Sequence, residues 1–112
     1  MKEDKLYRLH IQECIDRILN YTDGINKQQF MESSLTQDAV LRNLQVLAES
    51  TQRLSDDFKA QHNSMEWHKI SGLRNILVHD YLGIDMDTVW AIIDKDLLVL
   101  REIIAVNLGN NE

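Results

Sequence analysis

The chain has 112 residues and a net charge of -6, with 44% apolar and 27% charged residues. These values are typical of a soluble globular protein, and we predict a single domain over residues 1–112. The acidic balance argues against broad, nonspecific nucleic-acid affinity, which normally comes with a basic face. One cysteine, Cys14, excludes an intramolecular disulfide. The charged N-terminus lacks the features of a signal peptide, and no apolar run approaches the ~20 residues of a membrane span. We therefore expect a cytoplasmic protein.

Helical periodicity runs through most of the chain, which has no proline and only four glycines to interrupt it. The apolar pattern predicts a first helix over about residues 4–20, ended by Thr22-Asp23-Gly24, and a short helical turn within residues 25–33. A second helix is predicted from Ser34 or Thr36 to Phe58 or Ala60. A loop over residues 61–64 follows it.

The second half of the chain predicts two more helices. Ser64 is expected to cap a turn leading into the third, whose core side carries Ile70, Leu73, Ile76 and Leu77. Gly83 marks the next break, and Asp85 or Asp87 is expected to cap a fourth helix over about residues 87–107. Beside its main apolar stripe the fourth helix has a second one, formed by Ile92, Val99, Ile103 and Val106. Such a helix is central to its bundle or shared with another subunit. The predicted fold class is therefore all-α, an antiparallel four-helix bundle.

The segment from Gly72 to Tyr81 concentrates polar side chains in what otherwise reads as buried helix: Arg74, Asn75, His79 and Tyr81. An arginine can hold a phosphate through its rigid fork of donors. A histidine can move a proton near neutral pH. The pair is the minimal set of groups for cleaving RNA without a metal.

The spacing of this pair constrains how it can act. On an ideal helix Arg74 and His79 point about 140° apart, too far to meet at one phosphate, whereas Asn75 and His79 stack at i,i+4. The pair can converge if the helix distorts or ends near His79, or if a second copy of the helix faces the first in a homodimer. The same pattern is also typical of an ordinary solvated face, in which Arg74 pairs with Asp80 or Asp85.

Arg-x4-His followed by x-Tyr resembles the signature of the HEPN superfamily, and specifically of the HepT-like toxins of prokaryotic toxin–antitoxin pairs. The likeness covers about residues 4–108. It includes Gln37-Asp38-Ala39-Val40-Leu41-Arg42-Asn43-Leu44 in the second helix and Gly72-Leu73-Arg74-Asn75 in the third. It continues through Tyr81-Leu82-Gly83-Ile84-Asp85 to Val89-Trp90. This resemblance implies a dimeric HEPN-like bundle.

The resemblance also implies a role for each motif residue. Arg74 and His79 would be the catalytic pair of a metal-independent endoribonuclease assembled at a homodimer interface, with Asn75 as a supporting polar residue. His79 would take the proton of a ribose 2′-OH, and Arg74 would stabilise the charge growing on the attacked phosphate. The expected products are a 2′,3′-cyclic phosphate and a 5′-hydroxyl, and DNA should resist. Tyr81 would accept AMP from a partner minimal nucleotidyltransferase antitoxin, which silences the toxin.

The remaining residues suggest no other chemistry. His10, His62 and His68 lack metal-ligand spacing, and there is no glycine-rich phosphate loop, so we expect neither a metal nor a cofactor. Glu49 in the second helix is expected either at the surface or in contact with Arg74 or His79, and Asn43 has no assigned role. An alternative function is a noncatalytic helical module that dimerises and binds a partner. A third is a bundle in which Arg74 holds a nucleotide phosphate without cleaving anything.

Overall fold

Seven α-helices with short connections make up the chain in a computed structural model that describes the backbone of residues 2–110 and the side chains of residues 3–105. They are α1 (Lys2–Tyr21), α2 (Lys27–Glu32), α3 (Ser34–Gln52), α4 (Asp56–Gln61), α5 (Trp67–His79), α6 (Met86–Ala91) and α7 (Leu97–Asn110). A 3₁₀ turn spans Tyr81–Gly83, and a π-helical turn over Ile92–Asp96 joins α6 to α7. The described residues contain no strand, so the predicted all-α class is confirmed.

The long helices bury one apolar stripe each. α3 packs against both α1 and α5, and α1 also packs against α7. The fully buried side chains recur every three or four residues, which places them on one face of each helix; they include Ile11, Ile15 and Ile18 of α1, Val40, Leu44 and Leu47 of α3, and Leu97, Leu100 and Ile104 of α7. Each such side chain contributes roughly 1.5–3 kcal/mol by leaving water. α5 contributes only Leu73 and Leu77 to this core.

The first connection consists of a glycine break, a short helix and two caps. Gly24 adopts φ +74°, the left-handed conformation that glycine tolerates best, after the end of α1. Asn26 then forms a capping box with Gln29 at the start of α2. The Ser33 hydroxyl accepts a hydrogen bond from the backbone N–H of Thr36 and caps α3. The predicted break and the short helix after it are both confirmed.

The second predicted helix is two helices in the structure. α3 ends at Gln52, and α4 starts after Ser55, whose hydroxyl accepts a hydrogen bond from the backbone N–H of Phe58 at 3.1 Å. The prediction of one continuous helix to residue 58 or 60 was wrong because Leu54 and Phe58 keep helical spacing across the break. Leu54 lies within the break and Phe58 in α4, and both are buried.

The third predicted helix exists, but two of its details were wrong. The N-cap residue of α5 is Glu66, and its side chain makes no capping hydrogen bond. The predicted cap, Ser64, lies two residues too early to cap this helix. Ile76, expected in the core, is 43% exposed. The reason is that α5 packs mainly on α3, and Leu73 and Leu77 already fill that contact.

The fourth predicted helix runs from Met86 to Asn110 with a π turn that no feature of the sequence indicated. Asp85 is the cap: its carboxylate accepts hydrogen bonds from the backbone N–H of Asp87 at 3.0 Å and the Thr88 hydroxyl at 3.1 Å. The main apolar stripe is buried; it consists of Val89, Ile93, Leu97, Leu100 and Ile104. In the second stripe Ile92 and Ile103 are partly buried, Val99 is 45% exposed, and Val106 lies outside the described side chains.

One side of the bundle is open. An apolar groove of about 210 Å³ lies between α5 and α7, floored by Leu44 and Leu47 of α3 and walled by Leu73 and Val99. Within residues 2–110, no helix combines the length and the apolar character needed to cross a membrane.

Candidate active site

Arg74 lies in the middle of α5 and is only partly exposed. Its Nε is buried and has no hydrogen-bond partner among the described residues. Its Nη1 lies 3.4 Å from Oδ1 of Asn75, which is long for a hydrogen bond. A buried donor without a partner costs free energy that a carboxylate or phosphate ligand would recover. The guanidinium of Arg74 therefore keeps donor capacity that no group of the described residues satisfies.

The alternative in which Arg74 is neutralised within its own chain is not observed. The structure shows no ion pair between Arg74 and Asp80 or Asp85 in the part of the chain it describes. The carboxylate of Asp80 instead packs against Gly83, and that of Asp85 caps α6.

His79 is the last residue of α5 and is exposed, as is Asn75 one turn before it. The helix ends directly afterwards, with the backbone N–H of Asp80 donating to the carbonyl of Ile76 at 2.8 Å. Both polar side chains therefore lie at the surface on one side of α5.

A single chain does not bring Arg74 and His79 together on one face. α5 is regular from Trp67 to His79, so the two residues keep the separation of about 140° expected for positions five apart. α5 ends at His79, and His79 itself is still helical. The end of the helix therefore does not turn the His79 side chain toward Arg74. The first of the two routes to convergence, through a helix that distorts or ends before His79, is therefore not observed.

Tyr81 begins the 3₁₀ turn and is 41% exposed. The turn is held by a hydrogen bond from the backbone N–H of Gly83 to the carbonyl of Asp80 at 3.0 Å. A Cβ at Gly83 would lie 2.7 Å from Cγ and Oδ1 of Asp80, so any larger residue there would require that exposed carboxylate to shift. From the sequence Gly83 was interpreted only as a helix break. In the structure it is also the last residue of the turn that begins at Tyr81, and it lies against the Asp80 carboxylate.

The two residues of α3 that the sequence left open do not join this site. Asn43 is buried, and its Nδ2 donates to the carbonyl of Ala39 at 2.9 Å. Of the two positions predicted for Glu49, at the surface or against Arg74 or His79, the structure shows the first, because Glu49 is exposed. Within the described residues no three His, Cys, Asp or Glu side chains are grouped so that they could hold a metal ion.

Together these features describe an all-α bundle of the HEPN type that carries Arg-x4-His-x-Tyr on one surface helix and the turn after it. The family model described as "Ribonuclease HepT-like" matches residues 11–106. The chain therefore belongs to the HepT-like ribonuclease family.

Curated relatives cover most of the chain. It is 33% identical over 90% of its length to "Gamma-glutamylcyclotransferase and putative RNase" of Methanocaldococcus jannaschii, and spans 46% of that protein. It is 30% identical to "Probable ribonuclease HepT" of Thermococcus cleftensis, covering 89% of this chain and 91% of the relative. It is 31% identical to "mRNA nuclease HepT" of Shewanella oneidensis, covering 88% and 67%. No solved structure matches the chain significantly.

Proposed function

We propose that the chain is the ribonuclease toxin of a prokaryotic toxin–antitoxin pair, a metal-independent endoribonuclease that uses Arg74 and His79. The observation that supports this most directly is the buried, unpartnered Nε of Arg74 on the same helix as the exposed His79. Membership of the HepT-like ribonuclease family and the relative named as an mRNA nuclease point to RNA as the substrate.

The proposed chemistry assigns one task to each residue. His79 removes the proton from a ribose 2′-OH, whose oxygen attacks the adjacent phosphorus. Arg74 donates hydrogen bonds to the phosphate oxygens as negative charge accumulates on them. The bond to the 5′-oxygen breaks, leaving a 2′,3′-cyclic phosphate and, once the leaving oxygen is protonated, a 5′-hydroxyl. Asn75, beside Arg74 and one turn before His79, supports the site as a polar neighbour.

The site is completed in this proposal by a homodimer. Because Arg74 and His79 point apart on a regular α5, the arginine of one copy would act with the histidine of the other. A two-fold arrangement also supplies a second histidine, which can protonate the leaving oxygen.

Tyr81 is the proposed control point. It lies two residues beyond His79 on an ordered, exposed turn. A minimal nucleotidyltransferase antitoxin would transfer AMP from ATP to its hydroxyl. The added phosphate and nucleoside would place negative charge and bulk next to the site where the RNA phosphate has to bind.

Induction of the chain alone in a host lacking its antitoxin, followed by analysis of RNA for new 5′-hydroxyl ends, tests the proposal. The wild-type chain should arrest growth and cleave RNA, and His79→Ala should do neither. His68→Ala is a matched control, because His68 is also an exposed histidine on α5. Equal toxicity of the wild type and His79→Ala would remove His79 from the mechanism.

Mixing two inactive variants tests whether the site is shared. Purified Arg74→Ala and His79→Ala should each lose at least about a hundredfold of the cleavage rate. After mixing and exchange of subunits, part of the activity should return, because mixed dimers contain one site with both wild-type residues. Cleavage should also persist in the presence of EDTA, and a strict metal requirement would contradict the scheme.

The alternative is a noncatalytic module that dimerises and binds a partner. The net charge of -6 is the observation that favours it, since RNA binding usually requires basic residues. Well-folded, unmodified wild-type protein that neither arrests growth nor cleaves RNA would support this alternative.

A further inference from the structure

Four exposed charged side chains without partners follow one face of α3: Asp38, Arg42 and Glu49 lie in the helix, and Arg53 is the residue that caps its C-terminal end. None of them forms a side-chain hydrogen bond or an ion pair within the described residues. At about 100° per residue all four fall within a sector of about 60°, on the side of α3 opposite its buried stripe. They therefore form one stripe, which we call the α3 charged stripe.

The α3 charged stripe is complementary to itself. Its members alternate along the helix as acid, base, acid and base. Asp38 and Arg53 are equally far from a point between Gln45 and Val46, and so are Arg42 and Glu49. When the stripe is turned end for end about that point, every acid falls opposite a base.

We propose that this stripe docks a second copy of the chain, with the two α3 helices antiparallel about a two-fold axis beside Val46. Arg42 of each copy pairs with Glu49 of the other, and Asp38 of each pairs with Arg53 of the other. A two-fold interface places the same patch of both copies in contact, so the patch has to be self-complementary. This inference rests on the homodimer of the proposed function and names its contact surface.

The charges favour a second copy over other occupants. The stripe has two acids and two bases, and thus no net charge, on a chain whose net charge is -6. RNA would require a net positive face, and a basic protein would be attracted more strongly by the acidic remainder of the surface. Apolar contact comes from Val46, which is partly buried at the centre, and from Leu35, which is 81% exposed near one end of the same side of α3.

The arrangement also positions the candidate active sites. The two-fold axis runs between the antiparallel α3 helices, and α5 packs beside α3, so rotation leaves both α5 helices on the same side of the pair. Leu73 shares the lining of the groove with Leu44 and Leu47, which places its neighbour Arg74 near the level of Val46 on α3. Each Arg74 thus lies at the level of the two-fold axis along α3, on the side of the pair that both α5 helices share.

Charge reversal at paired positions tests the interface. Arg42→Glu puts two carboxylates opposite each other at two places in every dimer, and Glu49→Arg does the same with two cations. Each variant should raise the dimer dissociation constant about tenfold. In an equimolar mixture both contacts again join opposite charges, so dimers should recover wild-type affinity as heterodimers. Sedimentation velocity over a concentration series measures this, with circular dichroism to verify the helical fold.

Matched controls are available on α7. Arg101→Glu and Glu102→Arg make the same charge changes at exposed positions outside the stripe and should leave the dissociation constant unchanged. If the α3 variants behave like these controls, or if the mixture fails to recover, the interface is wrong. A wild-type chain that is monomeric at every concentration would also overturn it. Cleavage assays on the same samples separate the two proposals, since dimers that respond to the swap but cleave no RNA uphold the interface and contradict the ribonuclease.

Discussion

The carboxylate of Asp4 accepts two hydrogen bonds from Ser55, a residue 51 positions away: one from its backbone N–H at 2.7 Å and one from its hydroxyl at 2.6 Å. The same hydroxyl accepts from the backbone N–H of Phe58 and so caps α4. Asp4 is buried, and hydrogen bonds to a buried carboxylate are among the stronger ones in proteins. The first turn of α1 thereby determines where α4 begins.

Removing this contact should destabilise the fold. We expect Asp4→Ala to lower the free energy of unfolding by about 2 kcal/mol and Ser55→Ala by about 1 kcal/mol or more. Because the two residues share hydrogen bonds, the double variant should lose clearly less than the sum of the single losses. Urea unfolding followed by circular dichroism measures all three. Asp16→Ala, at an exposed position of α1, is the control and should change little; strict additivity would show that the contact contributes nothing.

Two glycines should respond to alanine in opposite directions. No atom lies within 4 Å of a Cβ added at Gly72, inside α5, so Gly72→Ala should stabilise the fold by about 0.5–1 kcal/mol through helix propensity. Gly83→Ala should cost up to about 1 kcal/mol, because its Cβ forces the exposed Asp80 carboxylate to move. Adding Asp80→Ala should recover most of that loss. Thermal and urea unfolding compare the four proteins, and a Gly83→Ala protein as stable as the wild type would show that the carboxylate moves away freely.

Tyr81 and Tyr21 provide a matched pair for the proposed control by AMP transfer, since each is 41% exposed. Tyr81→Phe should remain toxic and escape its antitoxin, because it lacks the acceptor hydroxyl. Tyr21→Phe should be silenced like the wild type. Growth on co-expression and the mass of the purified toxin, which should increase by one AMP group only where Tyr81 is present, are the measurements. Silencing and mass increase that persist in Tyr81→Phe would place the modification elsewhere.

Cys14 should react slowly and contribute to the pH dependence of stability. Burial raises the pKa of its thiol, with the positive charge of Arg17 partly opposing this and Glu13 adding to it. The folded chain therefore keeps the thiol proton at a pH where the unfolded chain, whose thiol has a pKa of ~8.5, loses it. The stability associated with this group is complete below the unfolded pKa and declines as pH rises through the folded one.

Alkylation by iodoacetamide should thus be slow in the folded protein up to alkaline pH and fast in urea. Unfolding free energies measured from pH 7 upward should fall less steeply for Cys14→Ala than for the wild type. Rapid alkylation of native protein at neutral pH would mean that the thiol is accessible and its pKa is not raised.

The helices were largely predictable because each long one repeats apolar residues at three- and four-residue spacing. The break between α3 and α4 was not, because Leu54 and Phe58 continue that spacing, and the cap of α4, Ser55, is held by Asp4, which is distant in sequence. Ile76 was wrongly predicted to be buried for a related reason. Its position on the helix is compatible with a core, but the number of helices that pack around α5 is a tertiary property.

The geometry of the candidate site was also only partly predictable from the sequence. The angular separation of Arg74 and His79 follows from helix geometry, and the regular α5 preserves it. The burial of Arg74 Nε and the packing of Asp80 against Gly83 depend on how the chain folds around them, and no residue pattern indicates either. The spacing of the four residues in the α3 charged stripe follows from the sequence. The proposed interface also requires that all four side chains are exposed and unpaired, which only the structure shows.

The open groove beside α5 also affects how the molecule fluctuates. α5 is supported mainly by α3, whereas α1 is held by both α3 and α7. A helix supported on one side can separate from its neighbours without disrupting the rest of the core, so its amide protons should exchange with solvent sooner than those of α1. The segment that carries Arg74 and His79 should then open at a lower free energy than α1, and contact with RNA there would slow its exchange.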